Sequence, residues 1–166
     1  MADRQPGDTT RFAGDLSSTE IPGPEDRILL EGLTFYGYHG VNPEERVLGQ
    51  RFVVDVTLSL DLRPAGQSDD PAKTINYATL YEIARRVVEG PRCSLIETLA
   101  ERLATAILTE AGGTAVRVRV SKPWAPIKGG HVGNVAVEVY RRAEETNQEK
   151  ALRRPWLPLT SRDQNG

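Results

Sequence analysis

The stretch that decides the fold is RFVVDVTLSLDL, which comprises residues 51–62. From Phe52 to Leu62 every second residue is apolar, and most of the residues between them are polar: Asp55, Thr57, Ser59 and Asp61. Successive side chains of a strand point to opposite faces of its sheet. The alternation therefore predicts a strand with one buried face and one wet face, which is typical of an antiparallel sheet.

Three more strands and two helices are predicted around this strand. An apolar and aromatic run over Ile28–Tyr38 precedes it, and alternating valines at 116–120 and 135–139 follow it. Apolar residues at helical spacing predict one helix over 77–89 and a second from Ser94 to the glycines at 112–113. Ser94 and Glu97 have the spacing of a capping box at the start of the second helix.

The order strand, strand, helix, helix, strand, strand predicts an α+β fold, with both helices on one face of a four-stranded antiparallel sheet. The two outer strands of such a sheet have unpaired edges, so we expect homo-oligomerisation through them. Residues 27–142 form the predicted domain. Residues 1–26 are predicted to be a disordered leader and residues 143–166 a flexible tail, because neither has apolar periodicity.

Composition excludes several classes of protein. The formal net charge of −2 and the absence of an undiluted basic cluster argue against a nucleic-acid partner. A single cysteine, Cys93, allows no intrachain disulfide. No apolar run is long enough for a signal peptide core or a membrane span, so we expect a cytoplasmic protein that does not engage membranes.

The chemistry-bearing residues do not form a familiar metal or nucleotide motif. His39 and His131 are the only histidines, and neither has metal-ligand spacing to another. The chain contains no G-x-S-x-G elbow, Walker loop or dinucleotide fingerprint. Polar residues instead concentrate at the ends of the predicted elements, where catalytic groups are often held by a rigid scaffold.

Five segments at these ends, in this order and at these intervals, resemble the dihydroneopterin aldolase family. They are Phe35–Gly40, Glu45 with Gly49-Gln50, Asn76-Tyr77, Leu95–Glu97 and Ser121–Pro123. The resemblance covers nearly all of Ile28–Tyr140. It is weakest after Lys122, where Trp124 and Lys128 stand in a loop that often carries small or proline residues.

The resemblance implies a tunnelling fold, whose subunits join edge to edge into a four-membered β-barrel ring or a stacked octamer. It also implies retro-aldol cleavage of 7,8-dihydroneopterin in folate biosynthesis, without a metal or other cofactor and without a Schiff-base intermediate. Lys122, Glu45 and Tyr77 correspond to the family's catalytic residues. The resemblance further implies that Glu45 and Tyr77 also contact the substrate and that Glu97, with the backbone of Ile96, anchors the pterin in a pocket that a neighbouring subunit completes.

Each of these residues has a plainer interpretation when it is taken alone. Lys122 could be a solvated lysine at a strand end, although its parity with Val116, Val118 and Val120 predicts that it points to the apolar side. Glu45 could be one of several surface charges, Glu97 a capping residue and Tyr77 a packing residue. At the level of function, two alternatives stay open: a 2′-epimerase of dihydroneopterin or its triphosphate, and a non-catalytic pterin-binding ring protein.

Overall fold

The computed structural model describes residues 26–143. The strands are β1 (Arg27–Gly37), β2 (Gln50–Ser59), β3 (Ala115–Pro123) and β4 (Asn134–Arg142), and the helices are α1 (Pro43–Leu48), α2 (Arg63–Ser68), α3 (Tyr77–Val88) and α4 (Ile96–Glu110). A 3₁₀ turn at Pro71–Lys73 lies between α2 and α3. The strands form one antiparallel sheet in the order β1-β2-β3-β4. The predicted α+β fold is confirmed.

The core lies between one face of the sheet and the two long helices. Helix α4 packs on β3 and β4, and α3 packs on β1 and α4. The buried side chains alternate along the central strands and repeat at helical spacing on α3 and α4: Phe52, Val54, Val56, Leu58, Val116, Val118, Val120, Leu80, Ile83, Leu99, Leu103 and Ile107. Burying a side chain of this size contributes about 1.5–3 kcal/mol, which makes this layer the main source of stability.

The strand register shows which residues lie at each end of the sheet. At one end Arg27 pairs with Ser59, Ser59 with Ala115, and Ala115 with Arg142. The other end holds Gly37 opposite Gln50, and Lys122 opposite Val135. The polar segments that lie on the strands, around Gly37, Gln50 and Lys122, therefore gather at the end opposite the row where the described chain enters and leaves the sheet.

Strand β2 is shorter than predicted, because it ends at Ser59 and the predicted strand ran to Leu62. The carboxylate of Asp61 accepts a hydrogen bond from the backbone N–H of Arg63 at 3.0 Å. Pro64, in the first turn of α2, has no N–H for a strand ladder. Together these residues turn the chain into a helix before the alternation has ended.

The predicted capping box of Ser94 and Glu97 is wrong. Helix α4 begins at Ile96, its N-cap is Leu95, and no side chain caps it. The backbone of Cys93 is held outside the helix, because its N–H donates to the ring of His39 and its carbonyl accepts from Gly40. The chain stays extended through Leu95, so Ser94 lies one residue too early to cap.

Two predictions concern regions of which the structure says little. The leader over 1–26 and the tail over 143–166 fall almost entirely outside residues 26–143. Within that described part, no helix combines the length and the apolar character needed to cross a bilayer.

Candidate active site

Glu45 is brought into the site by the short helix α1. Asn42 precedes the helix in an extended conformation, Pro43 occupies its first turn and Gly49 ends it with φ +66°. Glu45 is 7% exposed, whereas every other residue of α1 is exposed. Its Oε2 accepts a hydrogen bond from the backbone N–H of Asn42 at 3.1 Å. The helix thus aims one carboxylate inward.

Lys122 meets this carboxylate from the sheet. It continues the buried parity of Val118 and Val120 along β3, as predicted, and its side chain is 13% exposed. Its Nζ donates to Oε1 of Glu45 and forms an ion pair with it. The fold therefore joins two residues that lie 77 positions apart in the sequence.

Gln50, the first residue of β2, holds the same carboxylate from a third direction. Its Nε2 donates to Oε1 of Glu45 at 2.9 Å and to the backbone carbonyl of His39 at 3.1 Å. The Glu45 carboxylate thus accepts hydrogen bonds from β2, from β3 and from the loop before α1.

These donors decide the charge of Glu45. Burial raises the pKa of its carboxyl. The hydrogen bonds from Lys122, Gln50 and Asn42 and the charge of Lys122 together lower the pKa by more than burial raises it, so it lies below the ordinary 4.5. Glu45 is therefore ionised at neutral pH. Among the described residues Oε1 accepts two hydrogen bonds and Oε2 accepts one, which leaves acceptor capacity on Oε2 for a ligand or water.

Gly40 makes room for the carboxylate. Its φ is +151°, and a Cβ at this position would collide with the Glu45 side chain. Its N–H donates to the carbonyl of Cys93 at 3.1 Å. Both the conformation and the close approach require glycine here.

His39 is buried beside the site and takes a structural position. Its Nε2 donates to the carbonyl of Val88, the last residue of α3, at 2.7 Å, and its Nδ1 accepts from the N–H of Cys93 at 3.1 Å. Its ring also packs edge-on against Phe52. Burial of the ring lowers the pKa of His39 below 6.5, and burial raises the pKa of the Cys93 thiol.

The other predicted site residues make no hydrogen bond to this cluster within residues 26–143. Tyr77, at the start of α3, is 69% exposed. Glu97 is exposed in the first turn of α4, and Ile96 beside it is half-buried against the core. Trp124, which follows β3, is 78% exposed with φ +57°. The structure thus joins Lys122 with Glu45 and leaves Tyr77 and Glu97 open to an outside partner.

No role was predicted for Gln50, Asn42 or Gly40. Gln50 and Gly40 lie in segments that carried the family resemblance, so a signal was present without an assigned role. Asn42 and Glu45 have the spacing of a capping box, in which the Glu45 carboxylate accepts from the Asn42 backbone N–H, and this signal in the sequence was missed.

An ammonium and a carboxylate in direct contact can exchange protons with a bound substrate, which makes the cluster suited to acid–base chemistry. In the described part of the chain, no three or more His, Cys, Asp or Glu side chains are grouped to bind a metal ion. The expectation of a metal-free, cofactor-free reaction stays a prediction.

Comparison with known proteins gives a consistent result. The dihydroneopterin aldolase family model matches residues 28–140. Dihydroneopterin aldolase of Bacillus subtilis is 50% identical over 118 residues, which are 70% of this chain and 98% of the relative. Among solved structures, the Escherichia coli dihydroneopterin aldolase in complex with neopterin has a TM-score of 0.61 and 34% identity, covering 69% of this chain and 98% of that one. A Burkholderia dihydroneopterin aldolase bound to guanine has a TM-score of 0.56 and 26% identity, covering 70% and 90%.

Proposed function

The chain belongs to the dihydroneopterin aldolase family and is an aldolase of folate biosynthesis, and on this premise we propose how its residues carry the reaction. Lys122 and Glu45 transfer the protons, Tyr77 assists them, and Ile96 and Glu97 bind the pterin. The observation that carries this proposal is the ion pair between Lys122 and Glu45, where a buried carboxylate lies against the lysine at the end of β3.

The reaction splits 7,8-dihydroneopterin without needing an external electron sink. Removal of the 2′-hydroxyl proton allows the C1′–C2′ bond to break. The electron pair of that bond moves into the adjacent C6=N5 imine, and glycolaldehyde leaves. A proton added to C1′ restores the imine and gives 6-hydroxymethyl-7,8-dihydropterin. The protein therefore has to position the side chain of the substrate, remove the proton from its 2′-hydroxyl and deliver a proton to C1′.

Lys122 is the group that exchanges these protons with the substrate. Its ammonium must lose a proton before it can accept one from the 2′-hydroxyl, and the ionised Glu45 carboxylate is the acceptor in contact with it. The pair then returns a proton to C1′. A positioned acid or base of this kind accelerates a reaction by about 10²–10⁴-fold.

Glu97 binds the pterin ring in this proposal. The ring edge presents two parallel N–H donors, and a carboxylate accepts such a pair in a bidentate arrangement. Glu97 has no hydrogen-bond partner among residues 26–143 and is exposed in the first turn of α4, so its carboxylate is accessible to a ligand. The E. coli relative is in complex with neopterin and the Burkholderia relative with guanine, which both carry this pair of donors.

We propose that four copies join edge to edge into a barrel ring and that two rings can stack. Within residues 26–143, β1 pairs with β2 and β4 pairs with β3, and an outer strand of a sheet can pair with a strand of another copy. Tyr77, 69% exposed on its own subunit, would then contribute to the pocket of a neighbour. A small-molecule pterin is the proposed ligand.

Incubation of the purified protein with 7,8-dihydroneopterin in the presence of EDTA tests the reaction. The expected products are glycolaldehyde and 6-hydroxymethyl-7,8-dihydropterin in equal amounts. Accumulation of the 2′-epimer alone would identify an epimerase, and unchanged substrate with tight binding would identify a binding protein. Activity that returns only on addition of a divalent ion would contradict the metal-free mechanism.

Lys122→Ala tests the proton transfer. We expect kcat to fall by about 10²–10⁴-fold because the proton-exchanging group is removed. The affinity for the pterin, measured by fluorescence titration with neopterin, should stay within a few-fold of that of the wild type. Undiminished kcat would remove Lys122 from the proposed role.

Glu97→Ala tests the anchoring of the ring. Loss of a charged, bidentate acceptor should weaken neopterin binding by about 10–100-fold. Glu101→Ala is the matched control, since Glu101 lies one turn further along α4 and pairs with Arg141 instead. Equal affinity of the Glu97 and Glu101 variants would argue against an anchoring role.

A further inference from the structure

We propose that Gln50 is a positioning residue of the reaction, whose side-chain amide is anchored on the backbone of His39 and fixes the Glu45 carboxylate against Lys122. The inference rests on the proposed roles of Lys122 and Glu45 and extends them to a residue for which neither the sequence nor the comparisons assigned a task.

The chemistry of its neighbours fixes the orientation of the Gln50 amide. Both groups in contact with it, the Glu45 carboxylate and the His39 carbonyl, are acceptors. Only the NH₂ end can face them, and its two hydrogens are matched by the two acceptors. A flipped amide would set its oxygen against two other oxygens. The side chain is therefore locked in one direction, with the carboxylate at its end.

The anchor of this amide is rigid. His39 is 1% exposed, and both of its ring nitrogens are hydrogen bonded, one to the end of α3 and one to the loop before α4. Gln50 is thus tied to the body of the fold. Glu45, by contrast, lies on a helix of six residues that buries no other side chain.

Without Gln50, two donors would remain on Glu45. One is the backbone N–H of Asn42, which contacts Oε2. The other is Lys122, whose four-carbon stem is flexible and whose ammonium has to engage the substrate. Only Gln50 holds Oε1 without taking part in proton transfer, so it sets the direction in which Lys122 is presented.

The hydrogen bond from Gln50 also affects the protonation of the Glu45 carboxylate. The titratable group facing Glu45 is Lys122 from β3, and the uncharged donors facing it are Gln50 from β2 and the backbone of Asn42. Removal of the Gln50 donor destabilises the carboxylate relative to the carboxylic acid. Glu45 should then take up a proton at a higher pH, which a purely structural role of Gln50 would not cause.

Gln50→Met is the decisive variant, because methionine keeps the length of the side chain and removes the donor. Gln67→Met is the matched control, since Gln67 is exposed on α2. For Gln50→Met we expect a kcat about tenfold lower, with KM for dihydroneopterin within about twofold. The acid limb of its kcat profile should move to higher pH. Gln67→Met should match the wild type in all three quantities.

A Gln50→Met enzyme with wild-type kcat and an unmoved acid limb would overturn the proposal. The Glu45 carboxyl signal, followed by ¹³C NMR titration, gives a readout that does not depend on turnover, and an unchanged midpoint would also overturn it. Absence of turnover in the wild type and in Gln67→Met would instead refute the proposed function, while the titration still tests Gln50.

If Gln50→Met does not fold, the Gln50→Glu variant tests whether a donor at this position is needed. A carboxylic acid can donate to Glu45 whereas a carboxylate cannot, so its activity relative to the wild type should rise as the pH falls. A constant ratio across the pH range would count against positioning by a donor.

Discussion

At the scale of single residues, the ring of His39 shows how tightly the surroundings of the site are specified. The Cys93 N–H donates to Nδ1, so Nδ1 carries the lone pair and Nε2 carries the proton that the Val88 carbonyl accepts. A second proton on Nδ1 would face the Cys93 donor. Burial lowers the pKa of His39 most, and the charges of Arg102 and Arg92 lower it further, although the Val88 carbonyl favours the charged ring.

This environment predicts a pH-dependent stability. Below about pH 6.5 the unfolded chain binds a proton at His39 that the folded chain does not. The free energy of unfolding should therefore fall as the pH drops from 6.5 toward the lowered folded pKa. His39→Gln should remove this slope between pH 7.5 and 5.5 in urea titrations. His131→Gln, a change of the exposed histidine, should keep it. Equal slopes in the wild type and His39→Gln would contradict the assignment.

What the sequence could predict at this scale depended on whether a residue belonged to a long periodic element. Lys122 was assigned to the apolar side because the alternation of β3 runs up to it. The burial of Glu45 is not visible locally, since Glu44 and Arg46 beside it are exposed. The role of Gln50 depends on a carbonyl 11 residues away and on a carboxylate placed by a separate helix, so no pattern around Gln50 reveals it.

At the scale of elements, predictability followed length. The two long helices and four strands bury enough side chains to show their period, and they were predicted within a few residues of their bounds. Helix α1 has a proline in its first turn and a glycine at its end, yet it was not predicted. Its six residues bury one side chain, which is too few to show a periodicity. The short element that carries Glu45 was therefore missed, as was α2, which buries no side chain.

Helix α4 should be the more costly of the long helices to disturb, because it lies across β3, β4 and α3. Leu103 is fully buried in this contact, and Leu103→Ala should lower the free energy of unfolding by about 2–5 kcal/mol. Thr105→Ala, an exposed change on the same helix, should leave it within about 0.5 kcal/mol. Urea unfolding of both variants checks the difference. A loss below 1 kcal/mol for Leu103→Ala would show that α4 repacks freely.

At the scale of the whole molecule, the residues proposed for the site fall into two groups, those that meet within one chain and those that lie apart on its surface. Lys122 and Glu45 are in contact within one chain, whereas Tyr77 faces outward. In the proposed ring, Lys122 of one copy would work with Tyr77 of its neighbour. Catalysis would then require assembly, and the mass in light scattering should be about four or eight times 18.3 kDa.

Mixing inactive variants tests this division. After joint refolding, Lys122→Ala and Tyr77→Ala subunits should regain about one quarter of the wild-type activity, because random neighbours restore one complete site in four. A mixture of Lys122→Ala and Glu45→Gln should regain none, since these two residues belong to the same half of the site. Recovery in both mixtures, or in neither, would contradict a site shared between Tyr77 and Lys122 of adjacent subunits.

Because Arg27, Ser59, Ala115 and Arg142 lie in one row across the sheet, the order of the elements along the chain could be changed by circular permutation. Arg27 and Arg142 lie three strand spacings apart, about 14 Å, at the end of the sheet away from Lys122. A linker of about six residues could span them and replace both terminal segments. A circular permutant opened at the exposed Gly66, within α2, would then have its main elements in the order α3, α4, β3, β4, β1, α1 and β2. The end of the sheet that holds Lys122 would keep every covalent connection that it has now.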